Sequence, residues 1–541
     1  MKIGIYNRWL HTMGGGERYM GTIAEALSID AANQVELLTD NEVDLADLGK
    51  HLNLNLSSCQ LRLLPLSSQR ENMAAPMAAS ADYDLFINAS HLDLFPSFAK
   101  KNVVAVYFPA QLPPSPPPPS GTMGMVARIL GLTAQANLYS GFYAVERGAG
   151  NVLFRWSAER AAIILPPAPS GSRMIAQFIA SSSRPADAPD CIVRFTLNGK
   201  PLDDEWDVPR DGFVVHNLFL PPERLFAGRN LLGIECTPFQ PSTAADQRTL
   251  GMAAAQFNLL PAGADGQPVK DSFITRLFRR RYAGSNTLWH LQSVLDLPAV
   301  ARSMDAVWSI SRYTAEWVKR YWGRDSELLY PAVDVDSFAP GEKANQIISV
   351  GRFFAGSHNK KHDVMVRAFR GMCDGGLEGW EFHLVGSVGR EPEDAAYLDQ
   401  VKKLAEGYPV FIHNSLPYSD LLAQYARSKI FWHATGYGED TEQHPERFEH
   451  FGITTVEAMA AACVPVVIAA AGQTEIVTDG ENGMLWQNPA EMQAATLRLI
   501  YDDALCSRLA TKAIERSRQF DKAHTVAKLH ELVGGLLQVK D

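Results

Sequence analysis

Hydrophobic positions along this chain follow two rhythms. In the first 110 residues the short apolar runs KIGIYN, VELLTD, LRLLPL, DLFINAS and NVVAVYF alternate with helical spacing such as that of residues 17–27. Strands alternating with helices predict a parallel, doubly wound sheet. The stretch LPPSPPPPS (112–120) ends it, since proline fixes φ and removes a donor. From residue 150 to 265 the runs SRMIAQFIAS, CIVRFTLNGKPL, DGFVVHNLFL, RNLLGIECTPF and MAAAQFNLL follow one another without helices, and Asn198-Gly199 marks a hairpin turn. This pattern predicts an all-β sandwich inserted into the first α/β domain. Its aromatics, Trp156, Trp206, Phe213, Phe219 and Phe239, read mainly as core. Alternation resumes with DAVWSIS, YTAEWVKRYWG and SELLYP. A second α/β unit opens near Gln346 with IISVGRF, HDVMVRAFRGM, EFHLVGS, PVFIHNS, KIFWHATG and VPVVIAA. Val526, Leu529, Leu532, Val533 and Leu536 form a helical stripe that predicts a tail packed back on the body. The predicted map is 1–149 and 266–340 for the first domain and its linker, 150–265 for the insertion, 341–515 for the second domain and 516–541 for the returning helix.

Composition narrows the function classes. A formal net charge of −10 argues against non-specific nucleic-acid binding, which needs a basic face. The six cysteines are scattered, with no C-x-x-C and no histidine cluster beside them, so we expect no zinc site and a reducing compartment. The N-terminus MKIGIYNRWLHTMGGGER lacks the features of a signal peptide, and the apolar run 458–471 is broken by Pro465. These features predict a cytoplasmic protein. Phe273 to Tyr282 (FITRLFRRRY) interleaves aromatics with arginines and reads either as a peripheral contact at the inner membrane face or as a solvated helix face.

The stretch EHFGITTVEAMAAACVPVV (449–467) holds the most chemistry. It places an acidic residue before a glycine turn, a second acid eight positions on inside a helix, and a buried strand after it. In an open parallel sheet, a helix starting near Ile453 or Thr454 points free amides at the ligand cleft, where they suit a diphosphate or sugar hydroxyls. Read singly, Thr454-Thr455-Val456-Glu457 is a capping box and Glu449 a solvated loop carboxylate.

The whole pattern resembles the E-x7-E signature of glycosyltransferase family 4, a retaining family of the GT-B fold. Glu449, Phe451, Gly452, Glu457, Ala458, Met459, Ala460, Pro465 and Val466 match it, and Cys463 replaces a glycine. AGQTEIVTDGENGMLW (471–486) resembles the family's next segment, with Ala471 for its first glycine. The resemblance implies two Rossmann-like domains facing a cleft. It implies that Glu457 binds the donor ribose, that Glu449 lies near the donor sugar, and that the amides of Phe451, Gly452, Ile453 and Thr454 hold sugar and phosphate. Arg352 and Lys360, with Lys361 as alternative, would neutralise the departing diphosphate.

Gly14-Gly15-Gly16 opens the first helix, where backbone approaches a ligand closely. With Glu17 and Arg18 it is similar to an element of the dolichol-linked-oligosaccharide mannosyltransferases of the family, which hints at GDP-mannose. Relatives carry a sugar-facing histidine where this chain has Tyr107. Besides Tyr107 itself, His91 in NASHLD could substitute for that histidine, and His433 at the end of a second-domain strand is another cleft candidate. Asp334-Val-Asp336 looks like a metal-binding D-x-D but falls in the interdomain connection, so we expect no metal and no cofactor. The expected activity is transfer of a hexose from a nucleotide-diphosphate sugar to a saccharide or lipid-linked saccharide. The alternatives are a catalytically inert GT-B carbohydrate-binding or assembly protein, or another GT-B activity.

Overall fold

β1 (Lys2–Tyr6) is apolar on both faces because it lies inside a parallel sheet covered on both sides. It pairs on one flank with β2 (Gln34–Thr39), which pairs with β3 (Cys59–Leu63). On the other flank β4 (Leu85–Asn88) leads to β5 (Lys101–Val106). The computed structural model describes residues 1–64, 73–111, 137–148, 152–165, 171–226, 229–241, 246, 248–269 and 297–538. The proline run and the aromatic–arginine segment 273–282 lie outside them.

The next strands are β6 (Asn137–Arg147), β7 (Leu153–Leu165), β8 (Met174–Ser181), β9 (Cys191–Leu197), β10 (Lys200–Val208), β11 (Val214–Leu220), β12 (Asn230–Cys236) and β13 (Ala253–Pro261). They form one antiparallel sheet, ordered β10-β9-β12-β7-β13-β8-β11 with β6 also on β7. The sheet folds into two facing layers. Phe178 of β8 meets Phe195 of β9 at 5.4 Å although β12, β7 and β13 lie between them in the pairing order. Its two ends come together where Trp206 stacks on His216 at 4.5 Å. Asn198 and Gly199 take φ of 52° and 80° in the β9–β10 hairpin. The first strand of this sheet starts ahead of residue 150. Trp156, Trp206 and Phe239 are buried, whereas Phe219 is 38% exposed.

The chain then returns to the first sheet. β14 (Ala306–Ser309) pairs β5 in parallel, and β15 (Glu327–Leu328) follows it, giving the order β15-β14-β5-β4-β1-β2-β3. A second parallel sheet holds β16 (Gln346–Val350), β17 (Glu381–Gly386), β18 (Val410–Asn414), β19 (Ile430–His433), β20 (Val464–Ile468) and β21 (Met484–Trp486), ordered β18-β17-β16-β19-β20-β21. In both sheets β1 and β16 are central and strand order reverses beside them, which is where open α/β sheets bind ligands.

The helix Lys522–Gln538 crosses back to the first half, as its apolar stripe predicts. Lys522 pairs with Glu25, and Leu529 and Val533 are buried in a core that also contains Ile23 and Leu27. Tyr330 bridges the halves between Phe451 (5.6 Å) and Phe520 (5.3 Å). Among the described residues no helix is long and apolar enough to cross a membrane.

Candidate functional site

The carboxyl ends of the two parallel sheets face each other across a cleft of about 700 Å³. The first half lines it with Gly14, Gly15, Gly16 and Tyr107, and the second with Arg352, His358, Lys360, Glu449, His450, Phe451, Gly452, Ile453 and Thr454. Most of the residues named from the sequence thus converge on one wall-to-wall space.

Local chemistry explains each wall. Gly14 caps the helix Gly15–Ser28, and Glu17 accepts hydrogen bonds from the Gly14 N–H and the Thr12 hydroxyl, both at 2.8 Å. The Tyr107 hydroxyl donates to the Gly16 carbonyl at 2.9 Å, so it pins the glycine turn to the end of β5. His91 instead lines a small separate recess with Tyr107, their rings 6.2 Å apart. Across the cleft, Gly452 has φ 112°, and a Cβ there would stand 2.5 Å from the Gln473 amide nitrogen. Only glycine turns the chain here, and the turn aims the first amides of the helix Ile453–Ala460 into the cleft.

That turn also overturns the capping-box reading of Glu457. The helix begins at Ile453 with Gly452 as its cap, so Thr454 is already inside the first turn. The Glu457 carboxylate accepts from the Tyr425 hydroxyl at 3.1 Å and lies 3.7 Å from Arg18 of the opposite half. Burial raises its pKa to about 7, with Arg18 and Tyr425 pulling the other way.

Glu449 is no solvated loop carboxylate either. Its side chain is 15% exposed and bonds Lys360 Nζ at 2.6 Å and His433 Nε2 at 3.0 Å. Burial alone would raise its pKa, but Lys360, His433 and His358 more than offset this and hold it well below the usual carboxylate range. His433, expected at the cleft, is 3% exposed and sits behind Glu449, where burial lowers its pKa. Lys361 does not reach the cleft lining: at φ 56° it caps the helix His362–Asp374, and its ammonium pairs with Glu439 at 2.7 Å. Arg352 is exposed in the lining, its guanidinium over the Phe354 ring at 5.7 Å.

Four participants escaped the sequence reading. His450 sits inside the signature beside Glu449, and His358 lies in the loop after β16; adjacency to matched motif residues was the available signal. The pairing of Arg18 with Glu457 and the Tyr425 contact are long-range and left no sequence trace. Asp334 accepts from Asn53 Nδ2 (2.9 Å) and the Ser337 hydroxyl (2.6 Å), a turn-stabilising role. No group of three or more histidine, cysteine or acidic side chains able to hold a metal occurs among the described residues.

The fold is that of the GT-B glycosyltransferases. Residues 334–520 match the family model of glycosyl transferases group 1. Among curated proteins, the chain is 36% identical over 83 residues to a D-inositol 3-phosphate glycosyltransferase of Nocardioides sp., covering 15% of this chain and 18% of that one. It is 27% identical over 203 residues to a GDP-Man:Man(3)GlcNAc(2)-PP-Dol alpha-1,2-mannosyltransferase of Dictyostelium discoideum, 34% of this chain and 36% of that one. These matches span about a third or less of either relative. Among solved structures, sucrose-phosphate synthase of Thermosynechococcus elongatus aligns over 100% of both chains with TM-score 0.50 and 13% identity. Anabaena HepE, solved with UDP and glucose, aligns over 99% of both with TM-score 0.50 and 11% identity. At such identities the likeness is one of fold.

Proposed function

We propose that this chain is a retaining glycosyltransferase that moves a hexose from a nucleotide-diphosphate sugar to a saccharide or lipid-linked saccharide. The observation that carries the reading is the convergence of Arg352, Lys360, Glu449 and the amides of residues 452–454 on one cleft wall, opposite the Gly15–Gly16 turn. Departure of a nucleoside diphosphate concentrates negative charge, which fixed cations and a helix N-terminus stabilise without reorganising. Glu457 takes the ribose hydroxyls, which requires Arg18 to yield its place. The acceptor attacks on the face the diphosphate leaves: the bond from C1 to phosphate oxygen breaks, the bond from C1 to the acceptor oxygen forms, and the hydroxyl proton passes to the leaving phosphate. Anomeric configuration is thereby retained.

The glycine-rich GGGER turn, the EHFGI segment and the match to the Dictyostelium mannosyltransferase favour GDP-mannose as the donor to test first. A thermal-shift panel of GDP, UDP, ADP and their sugars tests the reading, because a ligand bound only by the folded chain raises its melting temperature. One nucleotide family should stabilise the protein, and its sugar should be slowly hydrolysed. A flat panel, or binding without any sugar release, would favour an inert binding protein. Arg352→Ala and Lys360→Ala should each lower that turnover by about 100-fold while the fold survives.

A further inference from the structure

His358 projects from the loop between Arg352 and Lys360 and lines the donor side of the cleft. Its Nε2 lies 3.4 Å from Nε2 of His450, and the two rings meet edge to face at 4.6 Å. His450 is immobilised by the other half of the molecule, stacked on Phe108 at 4.3 Å and 15°.

A neutral imidazole has one N–H and one lone pair. One Nε2 of the pair therefore donates and the other accepts. In either order Nε2 of His358 is taken up by His450, and Nδ1 is the ring nitrogen left for another partner. Both rings are neutral at pH 7: burial lowers His358 to about 4, with Lys360 adding to it, and burial also holds His450 well below its ordinary value. Glu449 is held by Lys360 and His433, and Tyr107 donates its proton to Gly16.

We propose that His358 is a donor-sugar-binding residue, its Nδ1 hydrogen-bonding a hydroxyl of the transferred hexose. The role rests on the nucleotide-sugar reading above. A neutral ring suits this position, since a second carboxylate there would compete with the diphosphate for Lys360 and Arg352.

The test uses the full chain with GDP-mannose and UDP-glucose as probes, and GDP and UDP as controls for the fold and the diphosphate site. His358→Phe should lower kcat/KM for hydrolysis of the accepted sugar nucleotide about tenfold, the value of one hydrogen bond. Affinity for the matching free diphosphate should stay within about twofold. His358→Asn, whose amide can donate or accept in place of Nδ1, should recover most of the loss. Unchanged hydrolysis in His358→Phe, equal loss of diphosphate affinity, or no recovery in His358→Asn would each overturn the assignment while leaving the enzyme reading intact. A wild-type chain that binds neither diphosphate nor either sugar nucleotide would overturn both.

Discussion

Glu449 and Glu457 stand eight residues apart, and both are withdrawn from water, yet their surroundings push them in opposite directions. Glu449 has Lys360 and His433 within hydrogen-bonding reach and is held ionised; Glu457 has a hydroxyl and a more distant guanidinium, and titrates near pH 7. The folded chain keeps a proton on Glu457 that the unfolded chain releases around 4.5, so this stabilisation is complete below 4.5 and lost as pH rises through about 7. Glu457→Gln imitates the protonated acid at every pH. The variant should match wild type in urea unfolding at pH 4.5 and be more stable at pH 8 by ~3 kcal/mol. A gap that does not change with pH would mean Glu457 is ionised throughout. Glu457→Ala should weaken nucleotide binding about tenfold, as loss of one hydrogen bond does. Glu449→Gln should instead lower sugar release by about 100-fold with nucleotide affinity little changed, because Glu449 is the residue proposed to lie beside the transferred sugar.

At the scale of elements, what was legible in the sequence depended on where burial comes from. The parallel strands are buried on both faces and read as continuous apolar runs, so β1, β5, β16, β19 and β20 stand where the pattern puts them. The E-x7-E stretch was legible for another reason, its resemblance to a family signature; read by local pattern alone its two glutamates were a cap and a loop carboxylate. β6 and β7 were missed although they are the longest strands of the insertion. Their stretches NLYSGFYAVER and LFRWSAERAAIIL mix charges and alanines in helix-like spacing. Arg160 tolerates its position because it bonds the Ala78 carbonyl (2.9 Å) and pairs with Glu159 and Glu235, partners no local pattern reveals. Gly452 tests the logic of the turn. At φ 112°, with Gln473 against the missing Cβ, Gly452→Ala should cost about 1–3 kcal/mol and lower the melting temperature. Gly480, at φ 69° with open space around it, should tolerate alanine better, at about 1 kcal/mol. Equal costs at the two sites would mean that backbone angle alone, and not the Gln473 contact, constrains Gly452.

For the whole molecule, the question is how the inserted β layers couple to the cleft. Ala162, Ile164 and Leu231 of the insertion are fully or nearly buried in the same core as Tyr6, Phe86 and Val104 of the first parallel sheet. The insertion is thus part of the first domain's packing rather than a detached lobe, and its removal would uncover that core. Every residue proposed to hold the donor, however, lies in the second half or at first-half positions 14–18 and 107. Stability and nucleotide recognition should therefore separate. Ile164→Ala combined with Leu231→Ala should destabilise the protein by several kcal/mol, since each truncation of a buried branched side chain costs about 2–5 kcal/mol. Nucleotide affinity, measured by calorimetry at a temperature where the variant remains folded, should stay within about twofold, because no donor group is displaced. If affinity instead fell in step with stability, the insertion would be shaping the Gly15–Gly16 wall through β1 and β4, and the two halves of the cleft would answer to a single packing unit.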